Sequence, residues 1–375
     1  MGRHSSARHP GRGRRRPRRV GLIATALGLW AAAGVHHAQL GTSPKAPESF
    51  EEALEGIGRF RRRWKGSAAS AELIERGDRV GGIPAGILAA MSPLAQRKIA
   101  TVGSGVMAEA MIAGLLRGEL VEPGQVIASH PRADRREELQ RLYGIRTTAS
   151  NSDAVTDADV ILLAIKPQML GRVGREIAPA LRRGQLVLSI IAGATTAALT
   201  GILGNEQVVR SMPNTPARLG RGMTVWYATP ATTDEQRRQA SALLRALGHE
   251  LEVDDERFVA MATAVSGTGP TYVFLVMEAL IDAAVHLGFP RHVAHDLVIE
   301  TLEGSTHFAK QSGDHPAVLR NMVTSPGGTS AAALHELESG RLRTVLSEAV
   351  WAAYRRTVEL GEQLEATIEH DAGPR

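Results

Sequence analysis

The sequence contains no cysteine among its 375 residues, which excludes disulfide bonds, thiolate nucleophiles and cysteine-based zinc sites. The cellular compartment stays open, because cytosolic proteins can also lack cysteine. Hydrophobic residues make up 43% of the chain and charged residues 22%, the balance of a globular protein with two or three folding units. No internal repeat at a fixed period is evident, so a repeat architecture is not indicated.

An excess of positive charge is missing from most of the chain. Residues 1–90 hold 16 Lys and Arg against 7 Asp and Glu, a net charge of +9, whereas the remaining residues hold 28 against 32, a net charge of −4. A broad phosphate-binding surface needs many clustered cations, so no nucleic-acid partner is expected for the folded part. The arginine cluster at residues 14–19 also lacks interleaved aromatic residues, which disfavours a nucleic-acid-binding arm.

Residues 1–96 are predicted to be a basic, low-complexity leader, disordered or partly helical, outside the fold. Its apolar run at residues 20–35 would suit a signal peptide but is shorter than the ~20 residues of a spanning helix. The favoured alternative is translation from upstream of the true start, with Met91 as that start. We therefore predict a cytoplasmic protein with no membrane contact by its folded part, and keep export or anchoring through residues 1–40 as the minority alternative.

Beyond Lys98, short apolar runs alternate with helical stretches, which is typical of a parallel α/β sheet. Strands are predicted at residues 99–102, 125–129, 158–165, 186–191 and 208–212, with edge strands at 225–227 and 250–253. Helices are predicted between them at residues 106–116, 133–142 and 234–247. The pattern indicates a Rossmann-type domain over residues 97–253.

After about Asp254 only helices are predicted, at residues 256–265, 271–287, 291–311, 317–322, 329–339 and 343–364. Alanine-rich, weakly charged stretches such as residues 272–284 indicate burial on more than one face, as in a subunit interface. We assign residues 254–368 to an all-α domain for dimerisation and substrate binding, and residues 369–375 to a tail.

A glycine-rich turn of the form GxGxxA follows the first predicted strand and begins a helix. The first glycine permits a tight turn, the second lets backbone approach a pyrophosphate, and the small sixth residue lets the helix pack on the strand. In this context the string predicts dinucleotide binding. The cofactor residues of this turn are Gly103, Ser104, Gly105, Val106, Met107 and Ala108.

No Asp or Glu stands at the end of the second strand, where NAD-selective sites place a carboxylate for the ribose 2′-hydroxyl. Ser129, His130 and Arg132 stand there instead and can donate hydrogen bonds or positive charge to a 2′-phosphate. NADPH or NADP is therefore favoured, and NADH remains the less favoured option. The alternative is that Arg132 is an ordinary solvated residue at a helix start.

Ligands of open α/β sheets bind beyond the carboxyl ends of the strands, so the loops there are further candidates. The loop after residues 158–165 places Lys166 towards the cofactor, and two prolines fix the loop in which Asn214 could reach inward. Simple turn chemistry is the alternative for each loop. The remaining predicted cofactor residues are Asn151, Ala164, Ile165, Lys166, Pro167 and Ala192.

From Lys98 to about Leu364, the order of motifs resembles that of the pyrroline-5-carboxylate reductase family. The motifs are VGSGVMA at 102–108, AIKP at 164–167, SMPNTP at 211–216, SGTGPTY at 266–272, LGFPR at 287–291 and SPGGTS at 325–330. The resemblance implies NADPH-dependent reduction of 1-pyrroline-5-carboxylate to L-proline, the last step of proline biosynthesis. It also implies a homodimer or larger homo-oligomer whose substrate pocket is completed across the interface.

The resemblance places substrate binding in the SPGGTS loop, with Ser330 as the catalytic residue that hydrogen-bonds or protonates the ring nitrogen. The substrate-binding residues are Ser325, Gly327, Gly328, Thr329, Ser330 and Asn214. Two positions depart from the family pattern. Val106 replaces the usual Asn, and the loop ends Thr329-Ser330 where Thr-Thr or Ala-Thr is usual.

Residues that other enzyme families and metal sites require are absent or differently placed in this chain. The absence of lysine from Gly267 to Ala309 argues against a β-hydroxyacid dehydrogenase. A related imine reductase and a non-catalytic NADP(H)-binding module remain open, although the second would not need the SPGGTS loop. No metal site is predicted, because the HxxHD string at residues 292–296 reads as solvated helix surface. Thr263 is a secondary candidate, with a hydroxyl bonded to its own helix as the expected state.

Overall fold

Eight strands form one sheet in the order β3-β2-β1-β4-β5-β6-β7-β8 within the part of the chain that the structure describes. A computed structural model describes residues 92–372, with side-chain burial as far as residue 368. The strands are β1 Ile99–Val102, β2 Val126–Ser129, β3 Arg146–Thr148, β4 Val160–Leu163, β5 Leu186–Ser189, β6 Val208–Met212, β7 Gly222–Ala228 and β8 Gly248–Glu252. Strands β1 to β6 are parallel, whereas β7 runs antiparallel to β6 and β8 runs parallel to β7.

Helices cover both faces of this sheet. They are α1 Val106–Arg117, α2 Ala133–Tyr143, α3 Asn151–Thr156, α4 Leu170–Ile177, α5 Thr196–Leu203 and α6 Asp234–Arg245. Strand β4 shows the two layers directly: Val160 and Leu162 belong to the core cluster that contains residues of α1, α2 and α6, and Ile161 and Leu163 to the cluster with residues of α3, α4 and α5. A strand with both faces buried is apolar throughout, as the sequence of β4 is.

After β8 the chain is helical, as the sequence predicts. The helices are α7 Arg257–Ala262, α8 Gly269–His286, α9 Arg291–Ser312, α10 Pro316–Met322, α11 Thr329–Ser339 and α12 Leu342–Ala372. Between α7 and α8 the chain forms a π-helical turn, Thr263–Gly267. Helix α12 returns to the sheet, because its Leu364 is buried in the core cluster of the α3, α4 and α5 face.

The predicted α/β Rossmann-type fold followed by helices is confirmed. Several elements escaped the sequence analysis: the short edge strand β3 and the helices α3, α4 and α5, none of which exceeds eight residues. Short elements carry too few residues to show a period. The division between domains near residue 254 and the tail from residue 369 stay predictions.

The start of the fold differs from the prediction. Leu94 is fully buried in the core, and Gln125 donates to the backbone oxygens of Leu94 and Arg97 at 3.2 and 2.9 Å. Residues from 92 onward are therefore part of the folded unit, and the predicted leader boundary at residue 96 is too late. Residues 1–91, with their apolar run and their alternative start at Met91, lie outside the described residues.

Candidate functional site

The glycine-rich turn lies directly against the loop that follows β4. Gly103 has a φ of +84°, and a Cβ added to it would lie 2.8 Å from the Ala164 oxygen and 2.8 Å from Cγ2 of Ile165. Only glycine meets both demands, because L side chains avoid this φ and there is no space for them. Since β1 and β4 are neighbours at the point where the strand order reverses, the two predicted cofactor segments share one crevice.

Gly105 stands at the N-terminal end of α1 and faces open space. A Cβ added there would meet no atom within 4 Å, and its φ of −74° and ψ of −175° suit any residue. No side chain caps α1, so the first amide groups of the helix are available to an anion. Val106 follows with 59% of its surface exposed. The open space at Gly105 and the free amide groups at the start of α1 fit the pyrophosphate of a dinucleotide.

Ser104 and Ser129 do not offer their hydroxyl groups to a ligand. Both side chains are buried; Ser104 donates to the Ser129 backbone oxygen at 3.0 Å, and the Ser129 hydroxyl lies 2.7 Å from Oδ1 of Asn151. The side-chain nitrogen Nδ2 of Asn151 in turn donates to the Glu176 carboxylate at 3.1 Å. The prediction that the Ser129 hydroxyl meets a 2′-phosphate is therefore not supported, because this hydroxyl joins β2 to α3. The Asn151 amide is likewise engaged within the protein.

His130 and Arg132 stand at the surface beyond β2, as the sequence predicts. Partial burial, with repulsion from Arg132 and Arg135, lowers the pKa of His130 below its usual value. The neutral imidazole accepts the Arg132 amide on Nδ1 at 3.3 Å. The Arg132 side chain is 67% exposed and pairs with Asp134 at 3.1 Å, a surface contact of little energy that a phosphate could replace.

Arg135 contacts the glycine-rich turn, a contact that the sequence does not predict. Its Nε donates to the Ser104 oxygen at 3.1 Å, and its terminal nitrogens contact Glu138 at 2.6 Å and Glu109 at 2.5 Å. Burial raises the pKa of Glu109, but hydrogen bonds from Arg135 and Tyr143 outweigh it and leave this pKa below its usual value. In sequence Arg135 is one of several charges on α2, and nothing distinguished it from a solvated residue.

The loops after β4, β5 and β6 differ in which side chains they leave available to a ligand. Lys166 is exposed, and Ala164, Ile165, Pro167 and Ala192 are partly buried at the same edge of the sheet. Asn214 is committed to the fold, because it donates to the Ser266 oxygen at 3.0 Å and accepts the Met223 amide at 2.9 Å. The prediction that Asn214 binds substrate is not supported. Its amide instead holds the π-helical turn beside the sheet.

The SPGGTS loop forms a second helix start without a side-chain cap. Gly327 has a φ of +70°, and Gly328 is the N-terminal residue before α11, with no side chain bonded to the first amides. The Gly328 amide donates to the Ser325 oxygen at 3.1 Å. Ser330 is partly buried, and Ser325 and Thr329 are exposed. This geometry suits a carboxylate. Among the described residues, no hydrogen bond joins this loop to the glycine-rich turn.

Two weaker sequence candidates are resolved by their contacts. Thr263 donates its hydroxyl to the Val259 oxygen at 2.8 Å, so it is bonded to its own helix as expected. His295 lies 3.3 Å from Asp296, its neighbour in sequence. Within residues 92–368 no group of three metal-ligating side chains comes together.

Helix α8 presents large apolar side chains to solvent. None of its 18 residues is buried, and Phe274 and Leu275 are 58% and 64% exposed. A groove of about 380 Å³ between α8 and α9 is lined by Phe274, Met277 and Ile299, among others. The stretch Arg257–His286 is also long and apolar enough to span a membrane by composition alone. An exposed apolar surface of this size is typical of an interface.

Comparison with known proteins finds a family model for part of the sheet domain and another for the helical region. Residues 98–193 match the family model "NADP oxidoreductase coenzyme F420-dependent", and residues 256–360 match "Pyrroline-5-carboxylate reductase dimerisation". The pyrroline-5-carboxylate reductase of Pseudomonas aeruginosa is 42% identical over 268 residues, which cover 71% of this chain and 98% of that protein. The chain belongs to the pyrroline-5-carboxylate reductase family.

Solved structures agree with this family. A pyrroline-5-carboxylate reductase from Coxiella burnetii is similar with a TM-score of 0.66 and 34% identity, over 70% of this chain and 98% of that one. The Plasmodium falciparum pyrroline carboxylate reductase, solved with NADP bound, gives a TM-score of 0.65 and 28% identity over 71% of this chain and 98% of that one. The resemblance inferred from the motifs is confirmed, and residues 256–360 of the helical region match the family's dimerisation model.

Proposed function

We propose that this protein reduces 1-pyrroline-5-carboxylate to L-proline with NADPH, and that it does so in the cytoplasm. The observation that carries the proposal is the Gly103–Gly105 turn, whose open side faces uncapped helix amides in a chain of this family. NADPH supplies a hydride for the C=N carbon. The protein then needs mainly to fix the substrate ring at close contact and orient it.

The first amides of α1 and the open space at Gly105 would hold the pyrophosphate. His130 and Arg132, beyond β2, would hold the 2′-phosphate. Lys166 and Ala192 follow β4 and β5, on the other side of β1 in the sheet, and would therefore lie towards the nicotinamide end. Arg135 positions the turn through the Ser104 oxygen. Ser129 and Asn151 serve as supports of β2, and Ser104 contributes backbone alone.

The cofactor preference is testable at Arg132. We expect Arg132→Ala to raise the KM for NADPH at least about tenfold and to change the KM for NADH less than about twofold, because only the first carries the 2′-phosphate. Steady-state kinetics with both cofactors measures this. Arg141→Ala, an exposed change further along α2, is the matched control and should alter neither. Equal weakening with both cofactors would refute the assignment.

The SPGGTS loop would bind the substrate carboxylate through the amides at the start of α11, with Gly327 and Gly328 allowing close approach. The Ser330 hydroxyl would hydrogen-bond or protonate the ring nitrogen as the hydride arrives. Because this loop lies within the family's dimerisation region, as does the exposed α8, we propose that the partner subunit supplies one of the two elements to each site. The exposed face of α8 would lie in that dimer interface.

Mixed dimers test this division of labour. We expect Ser330→Ala to lower kcat about 10- to 100-fold with unchanged NADPH affinity, and Gly105→Val to be inactive through lost cofactor binding. If each site uses both subunits, dimers mixed from the two variants contain one intact site, and random mixing restores about a quarter of wild-type activity. Activity that never exceeds the Ser330→Ala contribution would place both elements in one subunit.

The substrate assay separates the proposed activity from its rivals. Full-length protein is incubated with NADPH and 1-pyrroline-5-carboxylate, and the loss of nicotinamide absorbance is followed. A six-membered cyclic imine carboxylate serves as the competing substrate. Preference for the five-membered ring supports the proposal. Preference for the larger ring indicates a related imine reductase, and cofactor binding without turnover indicates a non-catalytic module.

A further inference from the structure

The loop that follows β5 is contacted at two places by the helical C-terminal part of the chain, by α12 and by Glu256 just before α7. We call residues 191–196 the β5–α5 loop; it contains Ala192, which the proposed function places at the nicotinamide end of the cofactor. Its residues Gly193, Thr195 and Thr196 each contact a different residue beyond position 255. A loop at the carboxyl edge of such a sheet is ordinarily set by its own strand and helix, so these distant contacts require an explanation.

Backbone meets backbone at Gly193. Gly193 has a φ of +79°, and an added Cβ would lie 3.2 Å from the Gly361 nitrogen and 3.3 Å from Cβ of Leu360. The converse holds on the other side, where a Cβ on Gly361 would lie 3.0 Å from the Gly193 oxygen. The backbone of α12 therefore packs directly against the loop, and a Cβ at residue 361 would press on the Gly193 oxygen and require a small shift there.

Two carboxylates accept hydrogen bonds from Thr195 and Thr196 of the same loop. The Thr195 hydroxyl donates to Glu365 of α12 at 2.5 Å, and the same oxygen accepts the Ala198 amide, which caps α5. Glu256, immediately before α7, accepts the Thr196 amide at 2.8 Å and its hydroxyl at 2.5 Å. Negative charge at a helix N-terminus is favourable, so both contacts also stabilise α5.

The Glu256 contact is fixed from a third direction. The buried Arg210 of β6 donates to the Glu256 carboxylate at 2.7 Å, with only 8% of the Arg210 side chain exposed. The Thr196 amide, the Thr196 hydroxyl and Arg210 all donate to this partly buried carboxylate. A rotation of the Glu256 carboxylate would leave donors without their acceptor, so the three contacts fix its orientation. The loop is therefore tied to β6 and α7 through Glu256, and to α12 through Glu365 and Gly361.

We propose that Glu365 and Gly361 of α12 are positioning residues that set the β5–α5 loop against the nicotinamide end of the cofactor. The inference rests on the proposed function. It assigns the helical C-terminal region a part in hydride transfer besides dimerisation and substrate binding. A small displacement of reacting groups costs rate far more than binding, so the effect falls on kcat.

Two variants test the proposal by different routes. Glu365→Ala removes the acceptor of the Thr195 hydroxyl, and Gly361→Ala pushes the Gly193 oxygen while raising helix propensity, so it leaves α12 stable. Glu362→Ala, an exposed position on the same helix, is the matched control. We expect both variants to lower kcat about tenfold with the KM for the imine nearly unchanged, and the control to match wild type.

Hydrogen exchange provides a readout independent of turnover. In full-length protein without cofactor, Glu365→Ala should speed amide exchange of residues 191–196 at least about fivefold, while peptides from β1 and α1 keep their wild-type rates. Wild-type exchange in this loop, together with kcat within about twofold of wild type in both variants, overturns the proposal. Inactivity of the wild-type protein would instead reject the proposed function, so the two failures are distinct.

Discussion

Gly105→Val is expected to reduce NADPH affinity at least about 100-fold while leaving thermal stability within a few degrees of wild type. The side chain would enter the space that the pyrophosphate needs. Its Cβ would meet no protein atom within 4 Å, and the backbone of Gly105 is in an extended conformation that valine adopts freely. The measurements are a binding titration with NADPH and a thermal melt of the unliganded protein.

Gly103→Ala is the matched comparison for that prediction. Its Cβ would lie 2.8 Å from a backbone oxygen, at a φ of +84°, so the folded protein itself is strained. We expect a loss of stability of about 2–4 kcal/mol, seen as a lower melting temperature, in addition to weaker cofactor binding. Two neighbouring glycines thus have different expected signatures. A destabilised Gly105→Val protein, or one that still binds NADPH tightly, would contradict the assigned geometry.

Leu275→Glu is expected to convert the protein from an oligomer to monomers and to abolish activity. Leu275 lies on α8 and is 64% exposed in the single chain, where glutamate costs little because it is a good helix former. In a dimer the same carboxylate would be buried without a partner, a penalty of several kcal/mol in each subunit. Light scattering or sedimentation measures the mass, and the NADPH assay measures activity.

Leu142→Glu is the control for the interface. Leu142 is 50% exposed near the end of α2, outside the family's dimerisation region at residues 256–360. The change should leave both mass and activity as in wild type. A Leu275→Glu protein that stays oligomeric and active would show that the α8 face is not the interface. A monomeric but fully active protein would show that each subunit contains a whole site.

The sequence alone predicts the parts of this fold that depend on local rules. Gly103 is predictable because a GxGxxA string between a strand and a helix has one structural use, and the structure adds the contact with Ala164 that enforces it. Strand β4 is predictable because burial on both faces requires an apolar run. The long helices after residue 256 are predictable from their Gly and Pro boundaries.

The contacts of individual polar side chains were not predictable. The sequence predicts ligand contacts for Ser129 and Asn214 because they are polar and follow strands at the carboxyl edge of the sheet. The structure shows that both satisfy protein groups instead. Arg135 was overlooked for the converse reason, since its partner Glu109 is distant in sequence. Which partner satisfies a buried polar group is settled by tertiary packing, and a residue's type and position do not reveal it.

The contact of α12 with the β5–α5 loop shows the same limit over a longer distance. Thr195 and Glu365 are separated by 170 positions, and neither stands in a recognisable motif. Gly361 reads in sequence as a residue that weakens a helix, whereas the structure shows a helix that must approach backbone closely. Loop positioning by a distant helix is therefore visible only once the fold is known.

The most direct test of the account is the oxidation of NADPH by the full-length protein in the presence and absence of 1-pyrroline-5-carboxylate, with L-proline measured as product. The account predicts that absorbance falls only when the imine is present, and that one proline forms for each NADPH consumed. NADPH that binds but is not oxidised, or oxidation without proline, would contradict it.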